Sequence, residues 1–217
     1  MLFDLDGVLY NTEPLRFKSY QILFYNKFGK KIPDDLIMQI VGKSERENFY
    51  YLSNLINIDD YDYKLFKYER EKVLIDLINK YVSEDKSLIN LLDNLMKFGF
   101  TVGLVSNADS KYINFVLKKL KIDKYFKIVL SGVYYKTFKP DPKLYTIAIK
   151  MLRENKKHVI AIEDSPSGVK AAQNAGLFCL GIKRDYTTLV SLNESLIFNS
   201  LNQLNTKLVE QFQNEKI

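Results

Sequence analysis

Leu2-Phe3-Asp4-Leu5-Asp6-Gly7-Val8-Leu9 is a short apolar run that carries two carboxylates at i and i+2 and then meets a glycine. Read as a strand, it turns Asp4 and Asp6 to the same side, near the strand's end. Two acids aimed at one point repel each other and resist desolvation unless they share a cation or a proton. The pattern therefore points to Mg²⁺, a phosphate, or both. Gly7 permits the sharp turn that brings main chain close to whatever sits there. Alone, Asp-x-Asp-Gly is also the composition of a surface turn, so the rest of the chain has to decide.

Working outward, Thr12-Glu13-Pro14 reads as a helix start, with Thr12 as cap and proline in the first turn. Tyr20, Leu23, Phe24 and Phe28 follow at helical spacing, and Gly29 is placed to end the helix. Helical patterns continue through Leu36, Ile37, Ile40 and Val41, through Phe49, Leu52 and Ile56, and through Val73, Leu74, Leu77, Ile78 and Tyr81. Residues 12–81 thus read as a small helical bundle inserted after the first strand. A different rhythm follows. Apolar runs at residues 101–106, 128–131, 158–162 and 177–182 read as buried strands, each separated from the next by a helix-length segment. One such helix opens at Asp141-Pro142, with Leu144, Ala148, Met151 and Leu152 inward. The alternation predicts an α/β core of residues 1–11 and 82–217, a parallel sheet with helices on both faces.

The 217 residues are 47% hydrophobic and 13% aromatic, enough for one substantial core with a smaller insertion. No apolar run approaches the roughly 20 residues of a membrane span, and no signal-peptide pattern opens the chain. The expectation is a cytoplasmic monomer without a membrane partner. Lys and Arg outnumber Asp and Glu by 32 to 26. The excess is dispersed and accompanies no nucleic-acid motif, so it excludes nucleic acid as the expected partner and leaves a field suited to small anions. The one cysteine, Cys179, sits in an apolar run, where its role is packing.

Ligands of open parallel sheets bind beyond the carboxyl ends of the strands. The polar residues at those ends are Asp4 and Asp6, then Ser106 with Asn107, then Glu163 and Asp164, with Lys139 in the loop after the third strand. Each has an ordinary alternative: Ser106 can end a strand, Lys139 can be solvated, and Glu163-Asp164 can form a turn. Asp109, Asp141 and Ser165 read as helix caps. Together, the acids, hydroxyl and ammonium form a set for phosphoryl transfer. Oxygen ligands suit hard Mg²⁺. Asp4 could attack phosphorus in line, Asp6 could protonate the leaving oxygen and later take a proton from water, and Ser106 and Lys139 could hold the phosphoryl oxygens.

Asp4-Leu5-Asp6-Gly7-Val8-Leu9, Ser106-Asn107, Lys139-Pro140 and Glu163-Asp164-Ser165 resemble, in order and context, the four signature motifs of the haloacid dehalogenase superfamily of hydrolases. The resemblance implies a Rossmann-like parallel sheet core with an inserted α-helical cap domain. It implies Asp4 as nucleophile, Asp6 as acid and base, Ser106 and Lys139 as phosphate holders, and Asp4, Asp6, Glu163 and Asp164 around Mg²⁺. A helical cap between the first two motifs is similar to the subgroup of beta-phosphoglucomutase and of small sugar-phosphate and phosphoglycolate phosphatases. Asp6 argues against dehalogenation.

Substrate-binding candidates are Asn107 and, in the inserted bundle, Lys43 and Arg46 of the loop Val41 to Arg46, with Arg16 in the first inserted helix. Lys43 and Arg46 could clasp a distal anionic or hydroxyl-bearing group, or belong to a solvated loop and helix start. Beta-phosphoglucomutases are expected to carry histidine where this chain has Arg16, and arginine where it has Glu45. Both departures favour a Mg²⁺-dependent phosphatase of a small sugar, polyol or short acid phosphate over a phosphomutase. A catalytically silent binding protein of the same fold is a further alternative. Phe138, before Lys139, is larger than the residue expected there and could narrow the crevice. Only three residues precede Asp4, so the first strand is short or the chain lacks a few residues.

Overall fold

Six strands, β1 (Leu2–Phe3), β2 (Val102–Ser106), β3 (Phe126–Ser131), β4 (Ile160–Glu163), β5 (Phe178–Ile182) and β6 (Ile197–Phe198), form one sheet in the computed structural model, which describes residues 1–214 except 42, 59 and 60. The helices are α1 (Glu13–Phe28), α2 (Ile37–Ile40), α3 (Glu45–Leu55), α4 (Tyr63–Tyr81), α5 (Lys86–Lys97), α6 (Ser110–Lys119), α7 (Gly132–Tyr135), α8 (Lys143–Leu152), α9 (Pro166–Asn174) and α10 (Leu201–Asn214). The chain divides into two compact units, Met1–Asn11 with Ser83–Ile217, and Thr12–Val82.

In the first unit the strand order is β3-β2-β1-β4-β5-β6 and every pairing is parallel. Although only two residues long, β1 is central: Leu2 stands opposite both Gly103 of β2 and Ala161 of β4. The Asp4 amide donates to the Ile162 carbonyl at 3.0 Å, which extends the pairing to the first acid. Asp4 is thereby fixed where the ends of β1, β2 and β4 meet. Apolar side chains on the helices cover the sheet, among them Leu144, Tyr145 and Ala148 of α8 and Val169, Ala171 and Ala172 of α9. This is the parallel α/β core that the alternating pattern predicts, with the Rossmann-like architecture that the resemblance implies.

Several local expectations change. A sixth strand, β6, adds to the edge; two residues are too few to leave a periodic signal. Met151 is half-exposed and receives a bond from the Tyr135 hydroxyl, while Tyr145 takes its place on the buried face of α8. Tyr134 is exposed. Thr12 holds the N-cap position of α1 without a capping bond from its side chain, whereas Asp109, Asp141 and Ser165 each accept from a backbone amide in the following turn. No helix among the described residues is long and apolar enough to cross a membrane.

Cys179 is buried in β5, and burial holds its thiol well above the ordinary value. Ellman's reagent is therefore expected to modify the native protein about 10²-fold or more slowly than the urea-unfolded chain. Equal rates would contradict the packing role.

The helical unit has its own core, built from Phe17, Tyr20, Leu23 and Phe24 of α1, Phe49 and Leu52 of α3 and Phe66 of α4. The Phe66 ring lies 4.6 Å from that of Phe49 and 5.1 Å from that of Phe24. Ser44 and Glu47 form a capping box that starts α3, the helix start that one of the two readings of Val41 to Arg46 expects. Gly42 of that loop lies outside the described residues. Helix α4 begins at Tyr63, well before the apolar spacing from Val73 announces it, because Asp62 caps it and a charged residue, Arg70, occupies a buried position. An arginine in the buried register interrupts the apolar period on which the sequence reading relies.

Candidate active site

After β1 the chain makes one tight turn: the Leu9 amide donates to the Leu5 carbonyl at 3.0 Å, and that of Gly7 to Tyr10 at 2.9 Å. Gly7 has φ +82°, and a Cβ there would fall 1.9 Å from Asp164 Oδ2. Only glycine lets the turn after Asp6 lie against the carboxylate of Asp164. Arg184, in the segment after β5, braces the same turn by donating from Nε to the Gly7 carbonyl at 2.5 Å and from Nη2 to that of Val8 at 3.4 Å.

The structure brings Asp4, Glu163 and Asp164 together, all buried, with one carboxylate oxygen of each within 4.8 Å of the others. Lys139 enters from the loop after α7 and is also buried. Its Nζ contacts Asp4 Oδ1 at 2.5 Å, Glu163 Oε1 at 2.6 Å and the Val105 carbonyl at 2.7 Å. An ammonium has three donors, and here all three have protein partners. Lys139 Nζ is thus held between Asp4, Glu163 and the end of β2. Asn107 Oδ1 accepts from the Lys139 amide at 2.8 Å. The Lys139-Pro140 peptide is cis.

Ser106, at the end of β2, accepts from the Ala108 amide at 3.1 Å. A hydroxyl that accepts one bond keeps its own proton to donate. Asp6 is partly exposed, and its Oδ1 receives the Tyr112 hydroxyl at 2.7 Å. Phe138 packs beside Gly132, where an added Cβ would lie 3.0 Å from its ring, and is itself half-exposed.

Electrostatics follow from burial and proximity. Burial pushes the Asp4 carboxyl up to about 7, against the pull of Lys139, with Glu163 and Asp6 adding to the rise. Burial by itself would lower the Lys139 ammonium, but Asp4 and Glu163 hold it above the ordinary lysine value. One ammonium thus faces an excess of carboxylate. That excess, the oxygen-only donor set and the room left by Gly7 for Asp164 fit a hard divalent cation such as Mg²⁺.

Three residues absent from the sequence reading belong to this site. Tyr145 of α8, fully buried, donates its hydroxyl to Glu163 Oε1. Tyr112 and Arg184 hold Asp6 and the turn after it. Tyr145 was within reach of the sequence reading, as a polar aromatic on an otherwise apolar helix face; Tyr112 and Arg184 carry no such signal.

The remaining candidates lie in the helical unit. Arg16 pairs with Glu13 at 3.4 Å. Lys43 Nζ stands 4.9 Å from the centre of the Tyr51 ring, and the Arg46 guanidinium 5.7 Å and 5.9 Å from those of Tyr50 and Tyr63. Glu45 is turned to Arg70, whose Nε and Nη2 reach its Oε1 at 2.8 Å and 2.7 Å.

The fold and the site together define an α/β protein that gathers carboxylates at the ends of parallel strands. The chain belongs to the haloacid dehalogenase-like hydrolases, whose family model matches residues 1–182. It is 31% identical over 196 residues to the phosphorylated carbohydrates phosphatase of Thermotoga maritima, covering 89% of this chain and 87% of that protein. With the pyrophosphatase PpaX of Listeria monocytogenes it shares 27% identity over 188 residues, 84% of this chain and 82% of the relative. Among solved structures, the beta-phosphoglucomutase of Clostridium difficile superposes with a TM-score of 0.79 at 25% identity, over 99% of this chain and 96% of that one.

Proposed function

We propose that this protein is a Mg²⁺-assisted phosphatase of small phosphorylated carbohydrates, working through an aspartyl-phosphate intermediate. The enzyme is a phosphoric monoester hydrolase. The observation that carries the reading is the buried group of Asp4, Glu163 and Asp164 with Lys139 between two of its members. The phosphatase relative of Thermotoga maritima supports the substrate class.

In this reading Asp4 attacks phosphorus, and the bond to the leaving oxygen breaks as that oxygen takes a proton from Asp6. Water then attacks the aspartyl phosphate, gives its proton to Asp6, and releases inorganic phosphate and free Asp4. Lys139 fixes the Asp4 carboxylate during both steps, while the Ser106 hydroxyl and nearby backbone amides donate to the phosphoryl oxygens. Asp4 and Asp164, with the Asp6 main-chain carbonyl, are the groups that would hold Mg²⁺, whose chemistry when bound is to neutralise charge on the phosphoryl group.

Residues 12–81, the helical unit, carry substrate preference in this reading, through Lys43, Arg46 and Arg16, with Asn107 contributing from the core. Lys43→Ala and Arg46→Ala are expected to lower kcat/KM on the preferred carbohydrate phosphate by about 10-fold while leaving an aryl phosphate nearly unaffected. Equal losses on both would remove them from substrate recognition.

The mutase-like structural neighbour favours a second reading, isomerisation of a sugar 1-phosphate. Glu45, where those mutases are expected to carry arginine, is already engaged by Arg70, so the cation required there is missing. Supplying a sugar 1-phosphate with its bisphosphate decides between the two. Release of inorganic phosphate with EDTA-sensitive turnover supports the phosphatase, and efficient conversion to the 6-phosphate without free phosphate overturns it.

A further inference from the structure

Asp6 sits in a turn whose main chain is held in several places. The Gly7 amide donates to the Tyr10 carbonyl at 2.9 Å and the Leu9 amide to that of Leu5 at 3.0 Å, while Arg184 donates to the Gly7 and Val8 carbonyls. These bonds fix the backbone of Asp6. The plane of its carboxyl has to be set separately, because the terminal torsion of an aspartate is broad and roughly twofold. Tyr112 supplies such a contact: from a half-buried position its hydroxyl donates to Asp6 Oδ1 at 2.7 Å. The donor is itself anchored. Tyr112 lies in the first turn of α6, the helix that follows β2, which is the parallel neighbour of β1. Asp109 caps that helix by accepting from the Lys111 amide at 2.8 Å, and the adjoining Ile113 is fully buried.

We propose that Tyr112 is a positioning residue for the proton transfers of Asp6, its phenol holding the Asp6 carboxyl toward the oxygen that leaves phosphorus and toward the water that follows. Tyr112 keeps its own proton throughout. As the bond from phosphorus to the leaving oxygen breaks, its electron pair goes to that oxygen, which takes the proton of the Asp6 carboxyl. Asp6 is left as a carboxylate that still accepts the Tyr112 hydroxyl, and the attacking water later returns a proton to it. Without the hydroxyl the carboxyl turns among orientations, only some of which face the leaving oxygen. This inference rests on the reading of Asp6 as acid and base above and adds to it the residue that orients Asp6.

Two esters of similar size separate the positioning of an acid from general damage to the site. p-Nitrophenolate leaves readily as an anion, whereas the alkoxide of benzyl phosphate needs a proton as its bond breaks. For each ester, kcat/KM reports the steps through phosphoryl transfer to Asp4. Tyr112→Phe removes only the hydroxyl and keeps the ring, so its thermal melt is expected to match that of wild type. It is expected to lose about 10-fold more kcat/KM on benzyl phosphate than on p-nitrophenyl phosphate, and Asp6→Ala about 100-fold more. In the Asp6→Ala background, Tyr112→Phe is expected to add no further discrimination between the esters, because the group it orients is gone. A discrimination unchanged by Tyr112→Phe, beside a selective loss in Asp6→Ala, would overturn the role of Tyr112 and leave that of Asp6 intact. Equal losses on the two esters in Asp6→Ala, or no phosphate release by the wild type, would overturn both.

Discussion

Replacing Asp4 with asparagine is expected to reduce phosphate release by about 10³-fold or more and to leave the fold in place. The amide matches the carboxylate in size, and its carbonyl can still accept from Lys139, so the buried ammonium keeps Asp4's position, Glu163 and the Val105 carbonyl as partners. What disappears is the anionic oxygen able to bond phosphorus. The side chain is buried at the end of a two-residue strand paired on both sides, so a larger residue would test packing as well as chemistry. Turnover by steady-state phosphate release and folding by far-ultraviolet circular dichroism read the two effects separately. Near-native turnover in the asparagine variant would mean that Asp4 is not the nucleophile.

The second large effect concerns stability in the helical unit. Arg70 is buried on α4, bonds Glu45 through Nε and Nη2, donates from Nη1 to the Ser19 hydroxyl at 3.0 Å, and lies 4.7 Å from the centre of the Tyr20 ring. It ties α4 to α1 and to the first turn of α3. Arg70→Ala removes one partner of an enclosed ion pair, vacates the space of a long side chain and strips the Ser19 hydroxyl of a donor. The expected cost is about 3–5 kcal/mol. Replacing Arg70 and Glu45 together with methionine is expected to cost much less, because well-packed apolar groups substitute for buried ion pairs without leaving a charge behind. Urea denaturation followed by circular dichroism at a helix wavelength measures both. A cost below about 1 kcal/mol for Arg70→Ala would place the pair among exposed ones of little consequence.

The two units differ in how far their sequences disclose them. The parallel core was legible because β2, β4 and β5 are continuous apolar runs, and because the polar residues that follow β1, β2 and β4 stand at strand ends where topology alone brings them together. The helical unit was legible as helices, but α4 was foreshortened because Arg70 sits where a periodic reading expects an apolar side chain. In the site, residue types disclosed which groups gather and were less informative about what each does. Lys139 in a loop reads as a cation for an incoming anion, and its contacts with Asp4, Glu163 and the Val105 carbonyl leave no local trace in the sequence. Asn107 reads as a substrate contact, and its Oδ1 also accepts from the Lys139 amide, a contact the sequence does not announce. Tyr112 and Arg184 reach the site from α6 and from the segment after β5, and nothing local in their sequence shows where a long side chain or a main-chain carbonyl ends up in space.

Rapid acid quench of a single turnover, followed by peptide mass analysis, tests the central claim most directly. The account predicts a transient phosphoryl adduct on the peptide containing Asp4, formed when Mg²⁺ is present and absent with EDTA. Turnover without such an adduct, or an adduct on any other residue, would contradict it.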